Sequence, residues 1–128
     1  MKLWTKRILS VLVALPALLF VVMGLQWLVA PAGVAAQLGL TLETGLGLSS
    51  QIGDLSAFFL VAGLCTLLGL VTHRRIWFYP PMMLMLFAAT GRTIAWVVHG
   101  ADFAPQIAFE VVVAGLFFVG SRVLAERA

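Results

Sequence analysis

The chain has 128 residues, 62% of them hydrophobic and 10% charged, with a mean hydropathy of +1.10. A water-soluble domain of this length buries a modest core and needs far less apolar surface, so a soluble fold is excluded. The net charge of +3 does not indicate nucleic acid, because the basic residues are sorted by loop rather than gathered into one binding face.

The first apolar run, Ile8 to Ala30, follows Lys2, Trp4, Lys6 and Arg7. Small residues at Val34-Ala35-Ala36 resemble a cleavage site. The run is nevertheless far longer than the h-region of a signal peptide. It is expected to be a retained span over residues 8–30, with Pro16 bending it and Ser10, Ala14, Ala17 and Gly24 offering another helix a close approach.

The connection from Pro31 to Ser50 has no Lys or Arg, one acid (Glu43), and much Leu and Gly. Pro31 suits the start of a short surface helix, while the alternation of leucines about Glu43-Thr44-Gly45 suits a small hairpin equally well. In either form it is expected to cap the membrane surface, and loops this long are often functional.

A second span is expected over residues 51–71, capped by Ser49 or Ser50 and carrying Asp54 one turn inside. The basic turn Thr72-His73-Arg74-Arg75 leads to Trp77, Phe78 and Tyr79. Trp4, Arg74, Arg75, Trp77 and Tyr79 are therefore expected to anchor lipid headgroups. The third span, residues 78–99, opens on Pro80 and Pro81, where a missing N–H costs little. It carries Arg92 within its apolar run. Gly100 to Ala104 is a short turn with Asp102, and the fourth span, residues 105–124, carries Glu110 near its start. The expected architecture is an all-α, four-helix transmembrane bundle forming one integral membrane domain over residues 1–128. Lys2, Lys6, Arg7, Arg74, Arg75, Arg122 and Arg127 all flank one side, which places both termini in the cytoplasm.

Arg92 is the residue on which a functional reading turns. Were it at the membrane surface, Ile94 to Val98 would be stranded in water; inside the membrane, its charge is costly without a partner. With ~1.5 Å per residue, Asp54, Arg92 and Glu110 fall ~5, ~10 and ~8 Å below the outer surface. Arg92 shares a helical stripe with Met85, Ala88, Ala89, Ala95, Trp96 and His99, Glu110 with Ala114, Phe117 and Ser121, and Asp54 with Ala57 and Val61. The expectation is an Asp54–Arg92–Glu110 cluster with Gln26 and His99 at its rim. Two carboxylates against one guanidinium leave a negative charge in excess, which a proton or a small cationic or hydrogen-bonding ligand would balance. The competing reading is a structural tie between helices.

The remaining candidates are weaker. His73 and His99 lie on opposite sides, so they do not share a metal or a haem. Met82, Met83 and Met85 in an apolar span read as packing, and so does the lone Cys65. No nucleophile–base pair, phosphate loop or metal-ligand spacing is present. The expectation is no cofactor, no metal and no catalysis, with lipids, a second copy of the chain or a membrane protein as partners.

Taken together, Pro31-Ala32-Gly33, Leu38-Gly39-Leu40, the run Gly53-Asp54-Leu55-Ser56-Ala57-Phe58-Phe59, Gly91-Arg92 and Glu110 resemble a family of small bacterial four-span membrane proteins of unknown function. More distantly the chain is similar to DoxX-like membrane proteins. The resemblance implies a four-helix fold in a bacterial cytoplasmic membrane and almost nothing about activity. The chain is unlike small multidrug exporters, whose essential acid lies in the first span, and unlike quinone-linked thiol oxidases, which need several cysteines. The leading functional expectation is a non-catalytic binding or accessory protein; the alternative is a proton-linked carrier using Asp54, Arg92 and Glu110.

Overall fold

The computed structural model describes residues 2–128. Four helices are long and apolar enough to cross a membrane, and a belt of exposed Leu, Val, Ile and Phe runs along them. In lipid such a belt is the expected outer surface, since only helices or closed barrels satisfy every backbone group there. The chain is a multi-pass membrane protein.

Helix α1, Leu3–Val29, is continuous through Pro16 and turns Val13, Ala17, Phe20, Gly24 and Trp27 inward, a spacing of three and four that keeps one narrow face on its neighbours. A short helix α2, Pro31–Gln37, follows directly. It buries Val34 and Ala35, after which residues 38–39 turn and residues 40–44 lead without regular structure to α3, Gly45–Thr72. The connection between the first two spans is thus the short-helix form, not the hairpin. Gln51 holds its irregular part: the Glu43 N–H donates to Gln51 Oε1 at 2.8 Å, and Gln51 Nε2 donates to Thr41 O at 3.0 Å. Helix α3 begins at Gly45, well before the expected Ser49 or Ser50 cap, and its N-cap Thr44 makes no side-chain hydrogen bond.

Helices α1 and α3 form the tightest pair. A Cβ at Gly63 would lie 2.6 Å from Ala17 O, and one at Gly24 would lie 2.6 Å from Leu60 Cγ. In lipid, where no hydrophobic force pushes helices together, such backbone approach supplies the attraction. A 3-10 turn, Arg75–Phe78, leads into α4, Tyr79–Val98, and α5 spans Gln106–Val123. Helices α4 and α5 pack on each other, while α3 and α4 touch less. Gly100, at φ +72°, lets the chain reverse between them, and the Trp96 and Phe103 rings pack edge to face at 5.0 Å across that turn.

The two ends of the bundle differ. At the end carrying the termini, Phe78 is fully buried, and its ring lies where a Gly69 side chain would otherwise stand. His73 takes a left-handed conformation (φ 57°) at the C-cap of α3, and its Nδ1–H donates to Leu124 O at 3.0 Å. The Arg75 N–H donates to Arg127 O at 2.7 Å, and the Arg127 N–H donates to His73 O at 3.0 Å. Arg75 Nε donates to both Ser121 O and Ala125 O at 3.1 Å, placing a cation on the negative end of α5. Arg75, expected among the lipid anchors, is half-buried as a helix cap. Arg74 is exposed and donates from Nε to Ala128 O at 3.3 Å. Trp4 and Tyr79 are exposed and Trp77 half-buried near this same end.

Candidate functional site

Hydroxyls within the spans satisfy themselves locally. Thr66, Thr90 and Thr93 each donate to the carbonyl four residues back, a common economy of polar groups in lipid-embedded helices. Among the described residues one hydrogen bond joins two side chains on different helices: Arg92 Nε donates to Glu110 Oε1 at 3.0 Å. Glu110 is buried, while the Arg92 side chain keeps 35% of its exposure.

The local sequence explains the meeting. Met85 and Ala89 are buried on α4, and Arg92 continues their stripe one turn on. Glu110, Ala114, Phe117 and Ser121 form the buried stripe of α5, and the short turn between α4 and α5 brings the two polar residues level. The guanidinium has four further N–H groups on its Nη atoms. None of them hydrogen-bonds to the protein among the described residues, and neither does Glu110 Oε2.

Asp54 does not join this pair. It is exposed and heads the outward stripe Ala57, Val61, Leu64, Leu68 and Val71 of α3, so the face read as a helix interface is the outer one. Its height also differs. Taking the His73–Leu124 hydrogen bond as a common level, Glu110 stands ~21 Å up α5 and Asp54 ~28 Å up α3 at ~1.5 Å per residue. The early start of α3 at Gly45 allows this offset. Gln26 is exposed, because the adjacent Trp27 occupies the inward position of α1; the buried Trp27 Nε1 has no partner among the described residues. His99 caps α4 through its backbone and is exposed, with no side-chain hydrogen bond.

The pair lies on the wall of a crevice at the end opposite the termini. An inner lobe of about 80 Å³ is bounded by Phe20 and Met23 of α1, Phe58 and Phe59 of α3, Met85 of α4, and Gln106 and Phe109 of α5. An outer lobe of about 340 Å³ lies between α3 and α4, where Leu55, Ala88 and Gly91 face it and Leu38 and Leu40 roof it. Both lobes share Leu38, Phe58, Phe59, Arg92 and Glu110, so they form one space with the ion pair between them. The phenylalanines brace one another: Phe20 meets Phe59 at 5.9 Å and Phe109 edge to face at 6.2 Å, while Phe58 and Phe59 stand edge to face at 5.1 Å.

Several of these residues were not singled out from the sequence. Gln106 stands one helical turn before Glu110 in the α5 sequence, and that i, i+4 spacing was the available signal. Gly91 offers a second: open space lies where its Cβ would be, and its lack of a side chain widens the outer lobe. No group of three or more His, Cys, Asp or Glu side chains that could hold a metal occurs among the described residues.

A helical, multi-pass membrane protein with one interhelical ion pair beside an aromatic crevice is the class that fold and site define. The chain belongs to the family described as a domain of unknown function (DUF4345), which it matches over residues 8–121. No curated protein and no solved structure matches it.

Proposed function

We propose that the chain is a non-catalytic binding protein of the cytoplasmic membrane. Its site is the crevice beside Arg92 and Glu110, and it takes a small molecule that reaches it through lipid. The observation that carries this reading is the position of the one interhelical ion pair among the described residues on the wall of a largely apolar space. Pockets that bind small molecules characteristically combine apolar walls with a few converging polar groups. The outer lobe lies between α3 and α4, so access is sideways from the bilayer as well as from beneath the α2 connection.

The basic residues orient the chain with both termini in the cytoplasm and the crevice towards the outer leaflet. Trp4, Arg74, Trp77 and Tyr79 then sit at the inner headgroup level, where such residues anchor to lipid. The proton-linked carrier remains the second reading, because an ionisable carboxyl is buried beside a cation. It needs a path to both faces, and the packing of Phe78 and the Arg75 cap at the termini end weighs against it. Asp54, exposed and apart from the pair, has no part in the proposed site.

Native mass spectrometry from gentle detergent tests the binding reading. Wild-type protein is expected to carry a small-molecule adduct that Gly91→Phe, which fills the outer lobe from an open position, does not retain. Equal adducts on both proteins would remove the crevice as the site. For the carrier reading, proton-coupled flux in liposomes that is unchanged in Glu110→Gln would exclude its proton role.

A further inference from the structure

The charge state of the polar pair restricts what the crevice accepts. Glu110 already balances Arg92 through the Nε bond. A second anion on the free Nη edge would set two negative charges about one guanidinium in a poorly solvated space, and like charges that close repel strongly at low dielectric. A neutral acceptor incurs no such repulsion. It gains a charge-assisted hydrogen bond from an Nη N–H, while the unbonded Glu110 Oε2 accepts a hydrogen bond from a donor on the same molecule. Gln106, on the inner lobe, supplies a neutral amide able to donate and accept. The rest of the wall is phenylalanine, leucine and methionine with Ala88 and Gly91, an apolar surface that matches a hydrocarbon chain.

We infer that the ligand is an uncharged amphiphile: one apolar chain lying among the phenylalanines and leucines, and a head that bears both a hydroxyl and a carbonyl against Arg92 and Glu110. This rests on the crevice being a binding site, as proposed above. The outer lobe, about 340 Å³, is at the lower end of the range that takes molecules of drug size, and the inner lobe, about 80 Å³, has room only for a slender segment, which suits a single-chain ligand. A free fatty acid with the same chain is discriminated against by its carboxylate alone. The specificity is thus set by Glu110, which keeps Arg92 from acting as an anion trap.

The test compares monooleoylglycerol with oleate, which have the same chain but differ in head charge, by native mass spectrometry on the full protein at pH 8. Wild type is expected to retain monooleoylglycerol about tenfold or more better than oleate, an order of magnitude set by like-charge repulsion near one guanidinium. In Glu110→Gln the repulsion is gone and the preference should reverse towards oleate. Gly91→Phe should lose both, and its thermal unfolding in detergent, matching wild type, shows that it is folded. A wild-type preference for oleate overturns the neutral-head inference but leaves the crevice as a site. An unchanged preference in Glu110→Gln removes Glu110 as its cause and overturns the inference likewise. Failure of wild type to retain either molecule overturns the inference, and binding of both by folded Gly91→Phe overturns the crevice itself.

Discussion

Arg92 and Glu110 depend on each other unequally. Glu110 is buried with Arg92 as its sole polar side-chain partner among the described residues, whereas Arg92 keeps a third of its exposure. Removing the cation strands a buried carboxylate, a change that in protein interiors costs roughly 3–5 kcal/mol, with the lower figure apt here because the pair is partly open. Arg92→Ala is therefore expected to lower thermal stability in detergent by far more than Glu110→Gln, whose amide oxygen still accepts from Nε. Equal losses would show that the ion pair contributes little. Asp54→Asn, at an exposed position without an ionic partner among the described residues, is expected to stay within about 0.5 kcal/mol of wild type. The sequence revealed Arg92 and Glu110 because each sits on a stripe of small and apolar residues that also had to face inward. Asp54 sits on a plausible stripe, Ala57 and Val61, but the sequence also offers a small-residue stripe at Ala62, Thr66 and Gly69, and it is that face which the structure buries. The deciding residue was Gly63, two positions beyond Val61, whose missing side chain admits the α1 backbone.

Among the elements, α1 and α3 are held by contact rather than by polar bonds. A Cβ at Gly63 would press against a backbone oxygen of α1, which has no rotamer to give way. Gly63→Val is expected to destabilise the bundle by about 1–3 kcal/mol, the usual cost of overpacking, while Gly91→Ala, placed in open space, should be neutral or slightly stabilising. Thermal unfolding of the two variants side by side checks both; a tolerated Gly63→Val would mean that the helices do not approach so closely. The four spans were legible because each is a long apolar run bounded by charge, glycine or proline. The start of α3 was not, because Gly45-Leu46-Gly47-Leu48 looks like loop by composition, yet continues the helix by two turns ahead of the apolar run. The crevice was not legible either. It arises from the separation of α3 from α4 and from the roof formed by Leu38 and Leu40, and both depend on where the connection folds back.

At the scale of the whole molecule, the asymmetry between the ends gives orientation a meaning. The expected topology places Glu43 outside the cytoplasm, and a topology reporter inserted there checks it. Cytoplasmic reporter activity would invert the molecule and turn the crevice towards the inner leaflet. The sorting of basic residues was plain in the sequence, but the strapping of the termini end was not, since it relies on main-chain hydrogen bonds that no side-chain pattern announces.

That strapping bears on how the chain is made. The turn between α3 and α4 is completed by the carbonyls of Ser121 and Ala125 and by the main chain of Arg127, groups made some fifty residues after it. While the earlier spans are already crossing the bilayer, Arg75 has no acceptor and Phe78 lacks the α5 wall beside Gly120. Assembly of this end of the bundle therefore waits for α5 and residues 124–127, and a ribosome stalled before residue 121 would leave a hairpin whose two arms are inserted but not yet locked.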